Sequence, residues 1–488
     1  MSLNKKIAIG AMWSVLTRVA IKGLGFISTL ILARLLFPED FGLMAVTMMM
    51  VAFFEIFVNF SFDVNIIQRD DVTNKTLNSA WTCKLIAGLG VAVCLLLSSG
   101  FIASFFNDDR LVLLVCVVAI IPLIRSAENI GFVLFRKELD LQKEFRLEVF
   151  SKLFSFTVTI AVAYFTRSYW ALVAGMITNT LCRVGFSYLM HHYRPAFCLD
   201  EWRSLFSFSK WLLLNNLLIF FNHKITDLII GNRTNPRELG FYSVGYEISN
   251  LPTTELVFPL SRAIFPGYSK VKNDRQALTT MFTDFTSVVV FLTAPISLGI
   301  YAIAPEAVPV LLGDKWLPAI PIIALLALYG FSRCAVQNIG SVFVAMGRPQ
   351  LPVFISIFRL CLIVPVLLYY VDKEGAVGAA KAVCLVALVT TPVSYVICAY
   401  VVGFGVSTIL RIFAFPVFAA LGMYFAIEGL SAHLYTWFNQ TILLILLAKV
   451  AIGVCVYGLA TILFYLGAAN EHPVNRLIHK GMLRVRPT

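Results

Sequence analysis

Charged side chains are scarce in this 488-residue chain, at 14% of the total, and acids are scarcer than bases, 27 Asp and Glu against 39 Lys and Arg. A soluble enzyme is excluded, because it could not hide a sequence that is 59% hydrophobic. The ten cysteines form no C-x-x-C pair and take no metal-ligand spacing with the six histidines. That excludes zinc-ribbon and thiol-redox chemistry. Cys83, Cys94, Cys116, Cys334, Cys384 and Cys455 lie in apolar stretches and read as small core residues. No glycine-rich loop resembles a selectivity filter, which argues against an ion channel. Long polar insertions are missing too, so no soluble domain is expected anywhere. The start carries Lys5 and Lys6, but the apolar run behind them is too long for a cleaved leader and lacks a small-residue cleavage site. The first helix is expected to stay as an anchor.

What the chain does have is apolar stretches of about 20 residues, repeated along its whole length. Fourteen can be placed, near 10–36, 41–67, 79–100, 111–135, 147–165, 169–190, 210–232, 239–263, 277–303, 316–343, 352–371, 375–402, 411–428 and 441–467. The fold class is therefore an all-α polytopic membrane protein with about 14 transmembrane helices. A net charge of +12 would point to nucleic acid in a soluble protein. Here the cations crowd into alternate loops: about 20 in the set holding the start and the tail, about 6 in the other. The richer side is cytoplasmic by the positive-inside rule, so both termini are expected inside and no nucleic-acid partner is implied. Trp13, Pro38 and Gly42 recur as Trp211, Pro236 and Gly240, each 198 residues on. Six crossings separate the copies, which predicts two parallel six-helix halves, a transporter arrangement. The expected parts are lobes 1–205 and 206–408, two further helices in 409–470 and a basic tail 471–488.

Polar residues inside the spans form stripes at helical spacing. The first span carries Arg18 and Lys22, the second Glu55, Asn59 and Asp63. The fourth holds Arg125 with Glu128 three residues on, and the seventh Lys224 and Asp227. Glu247 and Asn250 lie on the eighth, Arg333 on the tenth. A cation at mid-bilayer costs about 2.5–3.5 kcal/mol on insertion scales. Five facing lipid would be opposed by more than about 12 kcal/mol, so Arg18, Lys22, Arg125, Lys224 and Arg333 are expected to face a wet interior and an anionic ligand. The rival reading is internal ion pairing, strongest for Arg125 with Glu128. Arg34, Lys152, Arg183, Arg262, Arg359 and Lys381 lie near span ends, where snorkelling explains them. The acids, and the polar stripe through Asn59 and Asn250, offer a place for proton or sodium coupling. Pro252 and Pro259 offer the eighth span a gating bend.

The string Ala33-Arg34-Leu35-Leu36-Phe37-Pro38-Glu39-Asp40-Phe41-Gly42 resembles the first-loop motif of bacterial polysaccharide flippases. Tyr169-Trp170-Ala171-Leu172 and the Gly347-Arg348-Pro349 turn share that resemblance. The layout is similar to the polysaccharide transporter branch of the multidrug/oligosaccharidyl-lipid/polysaccharide flippase superfamily, nearest the Wzx-type colanic acid exporters. The resemblance implies alternating-access transport of undecaprenyl-pyrophosphate-linked oligosaccharide across a bacterial inner membrane, for exopolysaccharide, capsule or O-antigen export. It implies a cavity lined by spans one, two, seven and eight, with Arg18, Lys22 and Lys224 as leading pyrophosphate contacts. It implies no cofactor beyond a coupling ion. Membrane lipids and other polysaccharide-assembly proteins are the expected partners, and a monomer the expected state. The rivals are a multidrug extruder of the same superfamily, which should have an acid-dominated cavity, and a glycosyltransferase or ligase acting on polyprenyl-linked sugars. The latter needs acid/base residues on a sizeable outer loop, and only 304–316 and 430–440 have any length.

Overall fold

The computed structural model describes residues 3–56, 66–67, 72–201 and 209–467. Among these, every regular element is a helix. In chain order they are α1 Leu3–Leu35, α2 Pro38–Glu55, α3 Asn74–Phe106, α4 Arg110–Val118, α5 Ile120–Ser126, α6 Val133–Lys137, α7 Leu141–Thr166 and α8 Trp170–Met190. Then come α9 Ser209–Arg233, α10 Pro236–Leu251, α11 Phe258–Val271, α12 Arg275–Leu311, α13 Ile320–Ala345, α14 Gln350–Val402, α15 Val406–Trp437 and α16 Ile442–Gly467. The predicted spans fall on helices over most of their described residues, and the fourth is interrupted at 127–129. Among the described residues, eight helices are long and apolar enough to cross a membrane, and a ninth forms if the segments Arg110–Ser126 and Ile130–Lys137, bent by 60°, count as one. The thirteenth span is longer than expected, reaching Trp437 in α15 rather than ending near residue 428.

At about 1.5 Å per residue, α14 would be roughly 80 Å long if straight, more than twice the ~30 Å apolar core of a bilayer. It is two helices meeting at Gly375, whose φ of 58° and ψ of −135° turn the chain back. A side chain on nearby Gly378 would strike the Tyr370 carbonyl oxygen at 2.0 Å, so the two arms meet closely.

The chain forms two compact units, Met1–Gly240 and Phe241–Thr488. In the first, extended Phe37 hands over to Pro38 at the head of α2, where its fixed φ suits a first turn. Asp40 Oδ2 accepts the Phe37 N–H at 2.8 Å, and its Oδ1 accepts the Tyr169 N–H at 3.0 Å. One carboxylate thus starts α2 and ties it to the head of α8. Leu32, Leu36, Ala163 and Ala171 bury the apolar side of that junction, with Phe41 and Leu172 against them. Two family-like motifs, residues 33–42 and 169–172, are therefore parts of one joint. Asp40→Ala removes both bonds to a charged acceptor. It should cost about 1–3 kcal/mol, read as a lower thermal midpoint in detergent.

Segment 191–201 runs extended along the start of α3. Asn78 Oδ1 accepts the Ala196 N–H at 3.0 Å, Thr82 Oγ1 accepts the Cys198 N–H at 3.1 Å, and Phe197 packs on Trp81 at 5.4 Å. In the second unit, Tyr268, Phe282, Phe343 and Tyr395 centre one core among α11–α14. Ala294, Ala420, Met423, Ile427 and Tyr457 bind α15 and α16 onto α12.

Candidate functional site

The first unit holds most of the predicted cations. On α1, Lys22 is exposed and Arg18 is half-buried and engaged. Lys22 has no ion-pair partner among the described residues. Trp13, one helical turn below Thr17, packs at a tilt on Phe145 of α7, ring centroids 4.9 Å apart, and ties that end of α1 to α7.

Arg125 of α5 donates from Nη1 to Glu55 Oε1 of α2 at 3.1 Å. The rival reading of an internal pair is thus met by Glu55 and not by Glu128. Residues i and i+3 meet only on a continuous helix. Here α5 stops at Ser126, and the chain turns through Ala127 into a short 3-10 segment at Ile130. Glu128 is thereby carried to α8, where both its oxygens accept from Arg183 Nε at 3.1 Å. Glu148 of α7 takes Arg183 Nη1 as well. Arg183 is thus no snorkelling end residue: its side chain is 20% exposed and clamped by two acids. The Arg125 side chain, by contrast, stays 51% exposed, so its pair with Glu55 is far less enclosed. Asn129 serves the turn itself, accepting the Gly131 N–H and donating to the Tyr193 carbonyl at 2.8 Å.

Lys224 and Asp227 pair on α9 at 2.7 Å, with side chains 40% and 11% exposed. Lys224 is therefore neutralised by its own helix, unlike Lys22. Asn59 and Asp63 lie outside the described residues.

In the second unit, Glu247 is exposed and engaged, and Asn250 buries its Oδ1 without a hydrogen-bond partner among the described residues. Pro252 opens a π-helical turn, Pro252–Val257, and Pro259 stands just inside the helix that follows. A proline withholds the N–H of an ordinary turn, and the wider turn absorbs that loss. This irregularity breaks the eighth span at mid-length. Sequence reasoning passed over Glu255 in the same turn, whose Oε1 is buried without a donor among the described residues. The signal was there: it is an acid in an apolar span, one turn from two prolines.

Arg333 of α13 donates to the Tyr246 hydroxyl of α10, and its Cζ lies 5.2 Å from the Tyr246 ring and 5.8 Å from the Tyr329 ring. Arg359 of α14 donates to the Tyr329 hydroxyl, with Cζ 5.6 Å from the same ring. Among the described residues neither arginine meets a carboxylate. Arg359 was assigned to snorkelling by its place near a span end; its tyrosine partner lies thirty positions away and left no local signal. No group of three or more His, Cys, Asp or Glu side chains among the described residues is placed to hold a metal.

Comparison with known proteins places these elements. Residues 31–321, more than half of the chain, match the family model described as polysaccharide biosynthesis protein. The chain is 27% identical to the lipopolysaccharide biosynthesis protein WzxC of Escherichia coli (strain K12) over 81% of each chain. It is 26% identical to the teichuronic acid biosynthesis protein TuaB of Bacillus subtilis (strain 168) over 99% of each. Its fold is similar to that of the lipid II flippase MurJ in an inward closed conformation. The TM-score is 0.72 at 14% identity, covering 94% of this chain and 99% of the other.

Proposed function

This chain belongs to the polysaccharide biosynthesis protein family, and from that premise we propose that it is a flippase for undecaprenyl-pyrophosphate-linked oligosaccharides in a bacterial inner membrane. It is an integral membrane protein and a transporter rather than an enzyme. We take it to cross the membrane fourteen times, both termini cytoplasmic, with 1–205 and 206–408 as moving lobes and the helices of 409–470 outside the repeat.

The observation that carries the reading is the state of the cations in the spans. Among the described residues Lys22 is exposed and meets no acid, and Arg125 is held by an exposed pair with Glu55. Charges placed in apolar spans and left open are costly unless an anion or water meets them. A pyrophosphate supplies acceptor oxygens for both an ammonium and a planar guanidinium fork. WzxC and TuaB are named for polysaccharide biosynthesis and MurJ as a lipid II flippase, which supports the same class of cargo. Lys22 and Arg125 therefore lead as headgroup contacts, with Arg18 beside Lys22. Lys224 is secondary, since Asp227 must release it first. The π-turn at Pro252 supplies the bend that lets one arrangement give way to another, and the headgroup drives transport only by favouring the closed state over the open one. Glu55 and Asp227 change partners as the cargo arrives, which is where proton or sodium coupling would act.

Native mass spectrometry with undecaprenyl pyrophosphate tests the assignment. Lys22→Gln and Arg125→Gln should each weaken binding about tenfold or more, the loss of one charge-assisted hydrogen bond. Unchanged affinity in both variants would remove these residues from the headgroup site.

A further inference from the structure

Cations crowd one end of the second unit, where its helices turn. Lys270 and Lys272 stand at the end of α11, Arg275 opens α12, Arg348 lies between α13 and α14, and Arg411 is near the start of α15. The folding of α14 brings these turns to one level. Its two arms, broken at Gly375, are of nearly equal length, so Val402 returns to the end where Gln350 began. One apolar core then fastens the turns together. Phe404 stacks on Phe282 at 5.5 Å, and Val271, Met346, Leu351 and Ile409 pack on a cluster that holds Tyr268, Leu278 and Val402. A β-carbon on Gly403 would stand 3.6 Å from Arg275 Nη1, so that guanidinium lies over the end of α14. All five cations are exposed, and Lys270, Lys272, Arg275 and Arg348 meet no acid among the described residues. Segments 265–276, 343–351 and 402–411 contain one acid, Asp274, which caps α12 by accepting the Ala277 N–H at 3.0 Å. The turn before α7 in the first unit is made differently: Arg136 pairs with Glu144 at 2.7 Å and Lys143 with Asp140 at 3.2 Å. The general bias of membrane proteins puts cations at such turns, but it does not strip the acids from them.

Like charges gathered on one rim repel, and an anion laid across them removes that cost. The class of anion follows from the neighbours. Tyr400, Leu410 and Phe354 flank the rim and are 86%, 67% and 66% exposed. Large apolar side chains that open beside these cations suit a molecule with an anionic head and apolar tails; free phosphate gains nothing from them. We propose that this rim binds an anionic phospholipid of the adjoining leaflet, its head met by Lys270, Lys272, Arg275 and Arg348 and its acyl chains lying along Phe354 and Leu410. The helix that ends at this rim, α11, is the one that leaves the π-turn Pro252–Val257. A lipid held at its far end therefore steadies the helix that the proposed bend must move. That consequence rests on the flippase reading; the lipid site needs only the membrane.

The test titrates the purified full chain in detergent with phosphatidylglycerol, phosphatidylethanolamine and inorganic phosphate, read by native mass spectrometry and melting curves. Phosphatidylglycerol should bind at least tenfold more tightly than phosphatidylethanolamine and raise the melting midpoint; phosphate at the same concentration should neither raise the midpoint nor displace the lipid. Arg275→Gln and Arg348→Gln should each weaken phosphatidylglycerol about fivefold, the contribution of one cation at an anionic lipid surface. The fourfold variant Lys270→Gln, Lys272→Gln, Arg275→Gln and Arg348→Gln should lose the preference between the two lipids. Lys75→Gln with Arg146→Gln removes two exposed cations of the first unit and should bind as the parent does. Melting curves without lipid report folding; if the fourfold variant does not fold, the two single arginine variants decide. The proposal is overturned if the two lipids bind alike, if phosphate displaces phosphatidylglycerol, or if the folded rim variants bind as the parent does. It is overturned too if the first-unit control loses as much as the rim variants, since attraction would then be diffuse. In liposomes, added phosphatidylglycerol should slow flipping by the parent at least twofold and leave the fourfold variant unchanged; equal slowing of both would overturn the link to the bend. A chain that binds phosphatidylglycerol at this rim but flips no lipid-linked oligosaccharide would refute the flippase reading and leave the lipid site standing.

Discussion

Lys449→Met is expected to destabilise the protein by about 3–5 kcal/mol, the penalty for orphaning one partner of a buried ion pair. Lys449 Nζ of α16 lies 2.6 Å from Glu306 Oε1 of α12, with side chains 3% and 2% exposed. The Tyr435 hydroxyl of α15 donates to the same oxygen at 2.6 Å. Three helices thus meet on one carboxylate, whose second oxygen has no hydrogen-bond partner among the described residues. With the ammonium gone, the charge of Glu306 is left with a single phenol donor. Replacing both members by apolar residues of similar volume, Lys449→Met with Glu306→Leu, should recover most of the loss, because the desolvation cost of both charges goes with them. Thermal unfolding of the two singles and the double in detergent forms a closed cycle. A double variant as unstable as the sum of the singles would mean that packing, not charge, holds α15 and α16 to α12. Lys449 could not be assigned from the sequence, since Glu306 lies 143 positions away.

The second large effect is expected at Gly42. A β-carbon there would sit 1.7 Å from the Pro236 carbonyl oxygen, and one on Gly240 would sit 1.8 Å from the Pro38 carbonyl oxygen. The two matching strings therefore pack on each other reciprocally, each glycine over the other's proline. Both obstacles are backbone atoms, so no side chain can swing aside, and the heads of α2 and α10 must part by more than about 1 Å. Gly42→Ala and Gly240→Ala should each cost about 1–3 kcal/mol or more, although alanine is the better helix former by about 1 kcal/mol. Because one separation relieves both clashes, the double variant should cost clearly less than the sum. Gly340→Ala, with open space around its β-carbon, is the control and should not lower the melting temperature. Strict additivity would contradict the shared contact.

The helices were legible because a bilayer demands about 20 apolar residues per crossing, and the chain repeats that length throughout. The offset of 198 between the two Pro-x-x-x-Gly strings was legible, but not the fact that their prolines and glycines touch, which takes three dimensions. Partner choice was the least legible. Glu128 stands three residues from Arg125, and sequence spacing paired them; the end of α5 at Ser126 breaks the spacing rule and hands Glu128 to Arg183. The same blindness put Arg183 and Arg359 at the lipid headgroups, where depth along a span was the sole guide. Asp40 was visible inside a motif, yet its bond to Tyr169, 129 positions away, joins two strings that had no reason to be read together.

The flipping step itself decides the account. Liposomes carrying the purified chain and an undecaprenyl-pyrophosphate-linked oligosaccharide on their inner leaflet should expose the sugar to an impermeant lectin faster than protein-free liposomes. The double variant Lys22→Gln with Arg125→Gln, folded by its melting curve, should do so at least tenfold more slowly than the parent. Equal rates for parent and double variant, or no exposure by the parent, would contradict transport through these cations.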